Sequence, residues 1–111
     1  MTDRAAITTH ILDLVRGQPA ASVPVRLYNS DGLVASAVTD RDGRVANWAS
    51  GFTVQAGKYR LEFDVAPYFD QHQIESFYED VHISFRVRGT LEHYHVPLLL
   101  SPFGYSTYRG S

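Results

Sequence analysis

Period-two alternation of polar and apolar residues dominates the chain. From Lys58, polar Arg60, Glu62 and Asp64 alternate with apolar Tyr59, Leu61, Phe63 and Val65. From Val81, apolar Ile83, Phe85 and Val87 alternate with His82, Ser84, Arg86 and Arg88. Successive side chains of a strand point to opposite faces, so both runs predict strands with one buried and one wet face. Shorter β-rich runs at 7–15, 23–29, 33–38, 52–54, 91–100 and 105–108 predict further strands. Turn chemistry divides them, as at Gly17-Gln18-Pro19, Ser30-Asp31-Gly32, Asp42-Gly43, Ala56-Gly57 and Phe103-Gly104. Only 67–74 breaks the rhythm; Pro67 there predicts a short helix carrying Tyr68, Phe69 and Ile74. Close strand spacing with glycine punctuation predicts an all-β sandwich or barrel, with no internal repeat or linker. The run 91–100 stops alternating after Val96, which predicts a strand covered on both faces. With Phe103, Tyr105 and Tyr108 following, the expected cover is a second copy of the chain, through strand-edge pairing or sheet stacking.

A length of 111 residues fits one domain, 1–111, able to bury a core without metal or disulfide staples. At 44% hydrophobic and 13% aromatic residues the composition excludes a disordered chain. A net charge of −2 gives no electrostatic reason to expect nucleic acid or an anionic membrane as partner. The absence of cysteine removes disulfide scaffolds, zinc ribbons and thiol nucleophiles together, and fits a reducing compartment. No apolar stretch of signal-peptide or membrane-span length is present, so a soluble cytoplasmic protein is expected.

Of the five histidines, His72 and His82 read as solvated surface. Alternation places His10 with Thr8, Leu12 and Leu14, either as a satisfied core histidine or as a site residue facing inward; the pattern favours the core. His93 and His95, two apart on a strand, share a face, which is a possible metal pair. No third ligand motif accompanies them, so no metal is expected. Nucleophile elbows, phosphate loops and dinucleotide fingerprints are absent from the sequence, which sets aside serine hydrolysis and nucleotide chemistry. Arg44 reads as the flank of a tight turn, and the tail from Tyr108 to Ser111 reads as frayed by default. Residue-level reading alone stops at a small β-sandwich.

Four separated segments resemble one family. Thr8-Thr9-His10-Ile11-Leu12-Asp13 followed by Gly17-Gln18-Pro19-Ala20 resembles the opening strand of the transthyretin-like proteins. Thr39-Asp40-Arg41-Asp42-Gly43-Arg44 resembles their T-x-x-D-G-R turn. His93-Tyr94-His95-Val96-Pro97-Leu98-Leu99-Leu100-Ser101-Pro102 and Tyr105-Ser106-Thr107-Tyr108-Arg109-Gly110-Ser111 resemble the C-terminal strands and tail. The terminal Tyr-Arg-Gly-Ser is the mark of the 5-hydroxyisourate hydrolase branch, as opposed to the vertebrate hormone carrier. Departures are small: Ile11 replaces a commoner Val, and Glu79-Asp80 stands where a Pro-containing pair is frequent.

The resemblance implies a transthyretin-like sandwich of two four-stranded sheets with one short helix. It implies a homotetramer, a dimer of dimers, with active sites in a central channel lined partly by the tail. It further implies ring opening of 5-hydroxyisourate by water, to 2-oxo-4-hydroxy-4-carboxy-5-ureidoimidazoline, without a cofactor. Carried over by position, the catalytic residues are His10, Arg44, His95 and Ser111, with His10, Arg44 and Tyr108 binding substrate. The same resemblance predicts an ordered tail. The rival implication is a carrier that holds a small aromatic ligand in the channel without chemistry.

Overall fold

The structure, a computed structural model, describes residues 5–111. Nine strands and one helix follow in the order β1 (Ile7–Asp13), β2 (Gln18–Pro19), β3 (Pro24–Asn29), β4 (Gly32–Val38), β5 (Arg44–Val45), β6 (Gly57–Asp64), α1 (Ala66–Gln71), β7 (Asp80–Val87), β8 (Tyr94–Ser101) and β9 (Gly104–Thr107). One sheet runs β4-β3-β6-β7. The other runs β2-β1-β8-β9, with β5 pairing β1 beside β2. The two-residue strands β2 and β5 share one flank of β1, so each sheet is four positions wide. All pairings are antiparallel except β1 with β8. This is the expected all-β transthyretin-like sandwich with one short helix.

The long alternating runs became β6 and β7, paired from Gly57↔Val87 to Asp64↔Asp80. Their apolar faces meet Ile7 and Ile11 of β1 and Leu98 and Leu100 of β8, with Phe63, Leu61 and Leu27 fully buried between the sheets. Burial of each such side chain stabilises the fold by about 1.5–3 kcal/mol. On the wet face of the β3–β6–β7 sheet, Arg26 holds Asp64 through two hydrogen bonds of 2.9 Å, a bidentate fork. Those bonds pull the Asp64 carboxyl below its ordinary value.

Four expectations about the elements need correction. Residues 52–54 form no strand; Val54 is buried and Phe52 packs against the core, so that apolar run fills space without joining a ladder. The strand expected at 91–100 begins only at Tyr94, because the Tyr94 hydroxyl ties down the Arg88 and Gly89 amides and leaves Leu91 in a turn facing solvent. The first strand stops at Asp13, whose carboxylate accepts the Val15 and Arg16 amides and ends the extended run. The helix is also shorter than expected. It closes at His72, and the next residue, Gln73, takes a positive φ of 59°.

Asp13 is fully buried, and Tyr68 of α1 donates to it at 2.6 Å. A hydrogen bond to a charged group contributes about 1.5–3 kcal/mol, so this contact fastens the helix to the end of β1. No helix among the described residues is long and apolar enough to cross a membrane.

Candidate active site

The outer face of the β1–β8 sheet carries the candidate residues. β1 sends Ile7, Thr9, Ile11 and Asp13 between the sheets and presents Thr8, His10 and Leu12 on the other side. His10 is therefore half-buried on the outer face and is not a core histidine, which corrects the sequence reading. The inward face tolerates polar residues because each is satisfied. Thr9 donates to the Val96 carbonyl at 2.6 Å, and Asp13 accepts from Tyr68.

Strand register gathers the other residues around His10. The antiparallel pairing with β5 sets Arg44 directly opposite His10. The parallel pairing with β8 sets His95 opposite Thr8 and Pro97 opposite His10. Residues opposite one another across a ladder share a face. His10, Arg44, Thr8 and His95 thus lie on one wall, although they come from three segments of the chain.

The turn before Arg44 is built to aim it. The Asp40 carboxylate accepts the Asp42 amide at 2.9 Å and the Arg44 amide at 3.0 Å. Gly43 adopts φ +74° and passes so close to β1 that a Cβ would stand 2.5 Å from the Ile11 carbonyl oxygen. Only glycine combines that backbone angle with that approach. The Asp-Gly pair thereby presses β5 onto β1 and delivers the guanidinium beside His10.

The C-terminal tail folds back over the same wall. The Gly110 amide donates to the His95 carbonyl at 2.8 Å. Arg109 donates to Glu92 at 3.1 Å and lies over the Tyr94 ring, 4.7 Å from its centroid. Ser111 then closes a cavity of about 150 Å³ with Thr8, Thr9, Arg44, Val45, Ala46 and His95. His95, Arg44 and Ser111 are brought together, with His10 paired to Arg44 across the strands. Tyr108 does not line that cavity but borders an adjoining one that shares His95 with it. The residue is 57% exposed, and this second cavity, of about 260 Å³, is walled by His95 together with Ile83, Phe85, Tyr94 and Arg109.

The electrostatics favour the neutral form of His10. Burial, and then the adjacent Arg44 guanidinium, hold His10 below its ordinary value of 6.5. The Asp42 backbone and the Asp40 and Asp42 carboxylates pull the other way. Below pH 6.5 the folded protein therefore binds fewer protons here than the unfolded chain. His10 lowers stability as the pH falls from 6.5 through its depressed value, and has no such effect above 6.5. Arg44→Gln is expected to raise the His10 titration midpoint toward 6.5, read from its imidazole proton resonances. An unchanged midpoint would separate the two residues electrostatically.

Thr8, which neither the alternation nor the resemblance marks as a site residue, lies on the same wall. Its hydroxyl is 2.8 Å from His95 Nδ1 and 3.0 Å from His93 Nε2. The only sequence signal was the shared face of His93 and His95. Among the described residues no group of three or more His, Cys, Asp or Glu converges to hold a metal ion.

Comparison with known proteins identifies the family. A probable 5-hydroxyisourate hydrolase of Caenorhabditis elegans is 46% identical over 112 residues, covering 96% of this chain and 82% of that protein. The solved structure of Klebsiella pneumoniae 5-hydroxyisourate hydrolase superposes with a TM-score of 0.84 at 36% identity, covering 95% of this chain and 98% of that one. Sea bream transthyretin, solved in complex with thyroxine, superposes with a TM-score of 0.87 at 34% identity, covering 96% and 95%. Backbone shape alone does not separate enzyme from carrier, since both fit equally well. A family model described as HIUase/Transthyretin family matches residues 7–110, and the chain belongs to that family.

Proposed function

We infer that this protein hydrolyses 5-hydroxyisourate, opening its six-membered ring in urate degradation. The carrying observation is the convergence of His95, Arg44 and Ser111 on one cavity, with His10 directly across the ladder from Arg44. The names of the relatives point to the same substrate. A hormone-type carrier would prefer an apolar wall. This wall instead carries two half-buried imidazoles beside an exposed guanidinium, and withdrawing polar groups from water without a use costs free energy.

The chemistry follows from the side chains. Water adds to a ring amide carbonyl, the C–N bond breaks, a carboxylate forms, and the departing ring nitrogen takes a proton. Neutral imidazole accepts a proton near pH 7 and returns it, so His10 and His95 supply the base and the acid between them. The depressed His10 value keeps that ring neutral and ready at physiological pH. Arg44 offers a planar fork of donors to the developing oxyanion. The Ser111 hydroxyl closes the cavity beside them, and Tyr108 presents a ring edge for binding the flat substrate. The reaction moves protons and no net electrons.

One chain supplies only about 150 Å³ of cavity here, whereas small-molecule sites usually enclose about 300–1,000 Å³. A homotetramer, a dimer of dimers, would complete the site by facing two such walls across a channel. The half-buried Leu12 and Leu99 and the exposed Leu14 near this wall support that assembly. The test is direct. 5-Hydroxyisourate generated in place by urate oxidase should decay faster with the protein than without it, and an unchanged decay would sink the reading.

A further inference from the structure

We propose that Thr8, together with His93, is a positioning residue that fixes which nitrogen of His95 carries the proton. The inference rests on the hydrolase reading above and assigns a role to two residues outside its catalytic set. The Thr8 hydroxyl lies between two nearly parallel imidazoles, whose centroids are 6.2 Å apart with an interplanar angle of 16°. It is within hydrogen-bonding distance of both, at 2.8 Å from His95 Nδ1 and 3.0 Å from His93 Nε2. Thr8 is only 5% exposed, so bulk water has little access to substitute for the hydroxyl.

A threonine hydroxyl has one proton and cannot donate to both rings. A continuous chain therefore runs in one of two directions. In the first, His95 Nδ1–H donates to Thr8, and Thr8 donates to His93 Nε2. His95 Nε2 then carries a lone pair and acts as a base. In the second direction Thr8 donates to His95 Nδ1, which places the His95 proton on Nε2. That arrangement breaks as soon as His95 becomes imidazolium, because Nδ1 must then be a donor. The first direction survives the change unaltered, serving neutral imidazole before proton uptake and imidazolium after it. Preorganisation of this kind needs no hydroxyl rotation during the reaction. With His95 as the ring that takes up the proton, the chain runs from His95 through Thr8 to His93.

The test uses the full chain labelled with ¹⁵N-histidine, with His95 assigned by its absence in His95→Ala. At about pH 8, where ordinary imidazole is neutral, wild-type His95 should show a protonated Nδ1 and an unprotonated Nε2. Thr8→Val keeps the branched shape and removes the hydroxyl; its His95 should become a mixture of tautomers. Its kcat should fall by about 10–100-fold, the usual effect of losing a partner that orients a histidine, with KM changed far less. Thr8→Ser should restore both the nitrogen shifts and most of the turnover. His93→Phe keeps a ring in the stack and removes the acceptor, so it should loosen the tautomer independently should Thr8→Val fold poorly. Wild-type His95 protonated on Nε2, or Thr8→Val with wild-type shifts and turnover, would overturn the proposal. A wild-type protein inert toward 5-hydroxyisourate would instead overturn the functional reading, while the nitrogen shifts still decide whether Thr8 orders the two rings.

Discussion

His95→Ala is expected to lower kcat for 5-hydroxyisourate by about 10²–10⁴-fold, the usual contribution of a positioned acid–base group. The ring sits on the outer face of β8, half-buried, while its neighbours Tyr94 and Val96 point into the core. Removing it therefore leaves the packing between the sheets untouched. The thermal midpoint should move by no more than about 4–8 °C, the equivalent of about 1 kcal/mol for a domain of this size. His82→Ala is the matched control, because His82 lies on the wet face of the other sheet against Asp80 and should leave turnover unchanged. Substrate decay measured for the three proteins side by side decides the matter. A His95→Ala protein with full turnover would remove this wall from the chemistry.

Gly110→Ala is expected to cost about as much turnover as many direct site substitutions, although glycine has no functional group to lose. A Cβ at Gly110 would stand 2.6 Å from His95 Cδ2, 3.3 Å from its Cγ and 3.3 Å from Pro97 Cγ. Real Cβ atoms do not approach so closely, so either the imidazole tilts or the tail lifts away. Both outcomes damage the site. A tilted ring loses its alignment with Thr8, and a lifted tail carries Ser111 out of the cavity it shares with Arg44. Misplacement by about 1 Å can cost about 10²-fold in rate, and that is the expected loss in kcat. The core contains no part of the tail, so the far-ultraviolet circular dichroism and the unfolding midpoint should stay near wild type. Wild-type turnover in Gly110→Ala would mean that the tail does not position His95.

How much of this was legible beforehand differs from element to element. β6 and β7 were plain because polar and apolar residues alternate without exception over 58–65 and 81–88. β2 and β5 were invisible because two residues cannot display a period. Both exist only because β1 offers them a ladder partner. β1 itself was recognised but turned the wrong way round. Its faces carry Ile7, Thr9, Ile11 and Asp13 on one side and Thr8, His10, Leu12 and Leu14 on the other, two apolar residues each. Hydrophobicity could not choose between them. The choice was made by Val96 and Tyr68, which satisfy Thr9 and Asp13 from distant parts of the chain.

The site shows the same division. The resemblance of four short motifs named His10, Arg44, His95, Tyr108 and Ser111, but no periodicity links residues so far apart. Thr8 and His95 are separated by 87 positions and meet only because β1 and β8 pair in parallel at one register. Tyr108 shares a motif with Ser111, yet the chain passes through the bridge at Gly110 between them and sends the two to different cavities.

The sequence by itself determined the strand periods, the turn at Asp42-Gly43 and the chemical types available, because those depend on near neighbours and on side-chain identity. The tertiary structure decided which face of β1 is buried, that Thr8 lies between two imidazoles, and that the tail covers His95. Those outcomes depend on register across strands remote in the chain, and local patterns carry no information about register.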